Sequence, residues 1–183
     1  MKLKTGWAIV IMVILIAGGV VYGAYSGWTD ERALVNETRA GLESMLQTRV
    51  ESAYNVLAVA KRHLPEDDEA YQRVVRDRND LESSSKDADD MAQKAKANDA
   101  LTADAAALLD KLAQLDSVKK DSRDNMYVTS YLPQMLAQSE QKTVGAAYNQ
   151  AAADFNSRMN GTFSGWLARS FLGIKPAAEF KAQ

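Results

Sequence analysis

Three asparagines in this sequence each follow an aromatic residue: Tyr54-Asn55, Tyr148-Asn149 and Phe155-Asn156, the last two pairs seven positions apart. A carboxamide donates and accepts hydrogen bonds at once. Such a set can hydrogen-bond across a seam and fix the register of packed helices, or it can line a polar groove for a ligand. Both readings are open from the residues alone, with Asn55, Asn149 and Asn156 as the amides concerned. Other reactive groups are sparse. His63 is the only histidine, so neither a histidine metal pair nor a serine triad is expected; its place beside Lys61 and Arg62 suits the C-terminal end of a helix dipole. There is no cysteine, which removes thiolate catalysis, disulfides and cysteine-held metals. The acidic runs EDDE (66–69) and DADD (87–90) lack the alternating oxygens, central glycine and closing glutamate of a calcium loop, and read as solvated surface. No catalytic residue, metal site or cofactor is expected, and the chain reads as non-enzymatic.

Helices must position these groups. Alanine is abundant in the 183 residues and only three prolines (Pro65, Pro133, Pro176) interrupt them. That composition favours helix throughout. A formal charge of −2 offers no basic excess, so nucleic acid is not an expected partner.

From Thr5 to Thr29 no charged residue occurs, and the middle reads WAIVIMVILIAGGVVYGAY. About 20 apolar residues cover a hydrocarbon core of roughly 30 Å. Trp7 at one end and Tyr22, Tyr25 and Trp28 at the other read as interface anchors. A cleaved signal peptide is the rival, but the apolar region is long for one and no A-x-A site follows it. Lys2, Lys4 and the terminal amine precede the span while Asp30, Glu31 and Arg32 follow it, so the N-terminus is expected in the cytoplasm and the remainder outside a cell membrane. Gly19, Gly23 and Gly27 recur every four residues and are candidates for close packing between membrane helices.

Beyond the span, Leu46, Val50, Ala53, Leu57, Ala60 and Leu64 alternate steps of four and three, predicting a helix from about 30 to 63 that ends before Pro65. No breaker separates it from the span, so one long rod is expected. A second helix starts in PEDDEAY, its stripe running through Tyr71, Val74, Val75, Leu81, Ala88, Met91 and Ala95; a third carries Leu101, Ala105, Leu108, Leu112 and Leu115. SVKKDSRDN (117–125) reads as a loop or frayed turn, and a last helix covers roughly 134–160, with Asn160-Gly161 as its stop. On it Tyr148, Ala152, Phe155 and Met159 form the apolar stripe, and Asn149 and Asn156 flank it. The expected fold is all-α: a tail and transmembrane helix (1–28), an antiparallel helical bundle (29–160) and an aromatic, amphipathic tail (161–183).

Three collinear segments resemble the LemA family of bacterial membrane proteins. LQTRVESAYNVLAVAKRH (46–63) is similar to the family's stretch leading to an asparagine and a V-x-x-V-K-like run, YNQAAADFN (148–156) to its YNxAVxxYN, and FSGWLARSFLGIKPAAEF (163–180) to its F-P…FGF-K-P…F ending. Departures include Ala53-Tyr54-Asn55 for the family's IPN, and Ser164 where it has proline. The resemblance implies a membrane-anchored antiparallel bundle with no established enzymatic activity and no cofactor.

In the tail, Phe163, Trp166, Leu167, Phe171 and Ile174 share one helical face. That face either folds back to cap the bundle, the favoured expectation, or lies on a membrane or partner, with Trp166 and Phe171 as the exposed candidates. Altogether the sequence points to a single-pass scaffold or interaction module. Its expected partners are the lipid bilayer, other membrane or envelope proteins and, through the glycines, further copies of itself. A membrane-tethered sensor using an asparagine-lined seam is the alternative.

Overall fold

The computed structural model describes residues 5–84, 90–139 and 142–181, and among them there is no strand. The helices are α1 (Thr5–His63), α2 (Glu69–Ser84), α3 (Met91–Gln114), α4 (Asp116–Lys120), α5 (Ser122–Met126), α6 (Leu132–Ser139), α7 (Lys142–Gly161) and α8 (Phe163–Phe171), with a π-helical turn at Tyr127–Tyr131. Two compact units share this chain: Met1–Glu37 with Gln150–Ala177, and Thr38–Asn149 with Ala178–Gln183. We call them the anchor unit and the helical unit.

The whole apolar run belongs to α1, which continues without a break through 59 residues. In the anchor unit its large side chains from Trp7 to Val21 are 39–69% exposed. Trp28 behaves differently. It is buried and meets the Phe155 ring edge-on at 5.6 Å, so it is a core residue and not the interface anchor expected. Arg32 covers the same Phe155 ring at 5.5 Å and donates to the Lys175 carbonyl at 2.8 Å.

The helical unit buries Leu46, Val50, Ala53, Leu57 and Ala60 of the predicted stripe, while Leu64, past the helix end, is half-buried. Helix directions follow from the pairs formed. Asp68 binds Lys111 and Arg73 binds Asp104, so α2 and α3 run antiparallel. Glu43 faces Lys94 and Arg49 bonds Thr102, so α1 and α3 run alongside in the same sense. Arg49 also donates to the Leu136 carbonyl at 3.0 Å, and a Cβ at Gly41 would meet Val144 at 3.7 Å, which sets α6 and the start of α7 against α1. The four layers thus alternate in direction, the simplest way for amphipathic rods to bury their stripes.

Three predicted elements differ. The second stripe breaks at Ser84, and Met91 and Ala95 belong to α3, whose start is fixed by Asp90 accepting from the Gln93 N–H at 2.9 Å. Ala88 lies outside the described residues. SVKKDSRDN is helical, not a loop: Asp121 caps α5 by accepting the Arg123 and Asp124 N–H groups, each at 3.0 Å. Pro133 sits inside the helical run. The wider π-helical turn before it, closed by the Leu132 N–H on the Tyr127 carbonyl, makes room for a residue that has no N–H and crowds the preceding turn.

Candidate functional site

On α7, Asn149 and Asn156 grip the extended C-terminal tail rather than another helix. Pro176 favours this extension by fixing its own φ and excluding helix at Lys175. In the helical unit Asn149 Oδ1 accepts the Phe180 N–H at 2.7 Å, and its Nδ2 donates to the Phe180 carbonyl at 2.9 Å. Next to it the buried Tyr148 hydroxyl donates to the Ala178 carbonyl at 2.6 Å. Gly145 leaves room for the Phe180 ring, 3.6 Å from where a Cβ would stand. In the anchor unit Asn156 makes the same two-bonded clamp on Ala177, accepting its N–H and donating to its carbonyl at 2.8 Å each. A carboxamide has the donor and acceptor of a peptide group, so each clamp reproduces one rung of a β-ladder without a strand. Phe155 and Tyr148 are core, as their stripe predicts.

Asn55 plays no part in the clamps. It is exposed and lines a separate cavity of about 330 Å³ with Arg62, Arg123, Tyr127 and Tyr131. The amides of Asn149 and Asn156, which a ligand seam would need, are occupied by the chain's own backbone.

His63 is better connected than its isolation in the sequence suggests. Its Nε2 lies 2.8 Å from Asp124 Oδ2 and its Nδ1 lies 3.1 Å from Ser117 Oγ. A serine, a histidine and an aspartate therefore do meet, contrary to expectation. Arg62 takes both oxygens of the same carboxylate, at 2.8 and 2.6 Å. The Arg62 guanidinium and the His63 contact hold the Asp124 carboxyl well down, to about 2. With a guanidinium already matching its charge, Asp124 is a tie between the end of α1 and α5 rather than a counter-ion reserved for an imidazolium. The sequence signal was the basic last turn of α1, whose partner lay in a stretch read as loop.

The acidic runs are structural where they are described. Asp68 caps α2 by accepting the Ala70 N–H at 3.0 Å, and the Lys111 ammonium holds its carboxyl below the usual range. Glu69 pairs with Arg73 at 2.8 Å. Of the second run, Asp87 lies outside the described residues and Asp90 is the α3 cap. A carboxyl the sequence reading passed over is more unusual. Asp77 is buried between α2 and α3, its Oδ2 without a hydrogen-bond donor among the described residues, and burial beside the Asp104 carboxylate pushes its pKa from 3.8 up to about 6.

The glycines and the aromatic tail meet within the anchor unit. Gly19, Gly23 and Gly27 have open space where a Cβ would be. With Val20, they form one wall of a cavity of about 410 Å³; Phe163 and Leu167 of α8 line the other. α8 turns its small residues inward: Gly165 and Ala168 are buried, and a Cβ at Gly165 would stand 2.2 Å from the Met159 carbonyl oxygen. Its aromatics face out, with Phe163 70%, Trp166 45% and Phe171 71% exposed; Phe163 stacks on Trp166 at 5.6 Å, and Phe171 meets Trp166 edge-on at 5.5 Å. The expected fold-back of the aromatic face is thus overturned, because only a residue without a side chain can approach Met159 so closely. Comparison of the chain with protein-family models and with curated proteins gave no match.

Proposed function

We propose that this chain is a single-pass, membrane-anchored helical-bundle protein of LemA type that serves as a non-enzymatic scaffold or interaction module. One observation carries the proposal. The apolar segment has a mean hydropathy of 2.4 over an 18-residue window, none of which is buried by the rest of the protein. Water is a poor solvent for such a surface and a bilayer a good one. The three collinear segments support the family reading, since two of them, 148–156 and 163–180, supply the clamps and the tail residues they hold. The bundle stands on the far side from the N-terminus, outside the cell membrane, and presents helix faces to envelope proteins or to further copies.

Alkaline carbonate extraction of native membranes tests the anchor: the full-length chain stays in the pellet with its first residues intact. Release into the supernatant, or a mature N-terminus beyond Trp28, refutes it. Chemical crosslinking in the same membranes captures stoichiometric protein partners if the scaffold reading holds; a chain that remains uncrosslinked at native abundance sinks it.

A further inference from the structure

We propose that α8 is an interfacial membrane helix, with Phe163, Trp166 and Phe171 immersed in the same bilayer that α1 crosses. This rests on the anchor reading above and goes beyond it by assigning a second, separate lipid contact.

Depth provides the argument. The uncharged run extends from Thr5 to Thr29, so its middle is near Ala17. At 1.5 Å per residue, Gly19 lies about 3 Å and Gly27 about 15 Å from that middle. A hydrocarbon half-thickness is also about 15 Å. Phe163 and Leu167 face these glycines across one cavity inside one compact unit. That cavity reaches from Gly19 to Glu31, so a helix lining it lies beside the outer half of the span and its polar margin. The polar margin agrees with this level: Arg158 pairs with Glu31 at 3.2 Å, just beyond the uncharged run, and Thr162, Ser164 and Arg169 surround the aromatic face.

Composition points to lipid rather than protein as the cover. Three adjoining rings, more than two-fifths exposed, on a nine-residue helix with an outward arginine make an amphipathic surface of the kind that settles at a headgroup boundary. At this end of the span Phe155 buries Trp28, while Tyr22 and Tyr25 stay exposed. Trp166 and its neighbours extend that aromatic belt.

The sequence has no cysteine, so single labelling sites can be placed freely. Full-length chains carrying Leu15→Cys, Phe163→Cys, Phe171→Cys or Ala106→Cys are spin-labelled and reconstituted in vesicles of phosphatidylcholine and phosphatidylglycerol. Collision rates with oxygen, which enters lipid, are compared with those of a water-soluble nickel chelate. The proposal expects an oxygen-to-nickel ratio at 163 and 171 several-fold above that at 106, approaching that at 15. A ratio at both sites equal to that at 106, with 15 deep in lipid, overturns this inference and leaves the anchor standing. Protection at both sites from both reagents overturns it too, since a protein surface then covers the rings. A water-like ratio at 15 removes the anchor reading and the inference with it. Retained helical circular dichroism in each labelled chain ensures that the ratios come from folded protein.

Discussion

Replacing Asp77 with asparagine should stabilise the helical unit at alkaline pH and do little in acid. Asp77 is buried between α2 and α3, faces Asp104, and has Asp80 and Arg76 as further charged neighbours; burial and Asp104 push its pKa from 3.8 to about 6. The folded state therefore holds this proton more tightly than the unfolded chain. Its favourable contribution is complete below the unfolded value near 3.8 and is lost as pH rises through about 6. Each pKa unit is worth about 1.4 kcal/mol, so ionising Asp77 in place costs at most about 3 kcal/mol. Asp77 also lines an open cavity, and solvent screening there reduces the expected effect to about 1–2 kcal/mol. Asparagine keeps the shape and offers the Asp104 carboxylate a permanent N–H donor. Urea unfolding of the full-length chain in non-ionic detergent, followed by helical circular dichroism from pH 4.5 to 8, measures the difference. We expect Asp77→Asn and the parent chain to be closest at the acid end of this range, to separate as pH rises from 4.5 to about 6, and to keep that difference above it, with the variant the more stable. A difference that stays constant with pH, or a variant weaker at pH 8, refutes the reasoning.

Asp124→Ala leaves Arg62 and His63 without the buried carboxylate between them and should cost about 3 kcal/mol in the same unfolding assay. Because its folded pKa is held down to about 2, the parent chain keeps this stability above pH 4 and loses it as pH falls through about 2. Asn149→Leu or Asn156→Leu removes two backbone bonds to the tail, and amide exchange at Phe180 or Ala177 respectively should accelerate at least tenfold. Gly165→Ala drives a methyl group into the Met159 backbone, and the resulting overpacking should cost about 2 kcal/mol and increase protease cleavage near Thr162.

The α1 stripe and the core roles of Tyr148 and Phe155 were readable because burial imposes a 3.6-residue period, and that period is local. The clamps were not. A heptad rises about 10 Å along a helix, and three residues of extended chain also cover about 10 Å. The spacing of Asn149 and Asn156 thus suits every third residue of an extended segment as well as it suits a helical seam, and the sequence does not say which. Asp77 escaped notice for a different reason. Its setting depends on Asp104 from another helix, a pairing set by the α2–α3 register. The orientation of α8 was misread because size dominated the sequence reading, whereas the close approach of Gly165 to Met159 decides which face turns in.

A clamp made from carboxamides has an evolutionary consequence. Asn149 and Asn156 hydrogen-bond the main chain of Phe180 and Ala177, so the bonds themselves impose no demand on side-chain type there. The tail can drift in composition and still be held, provided that Ala177, which is buried, stays small and neither gripped position becomes proline, the residue that has no N–H to offer. Relatives should therefore be recognisable by the asparagines long after the tail they secure has ceased to look alike.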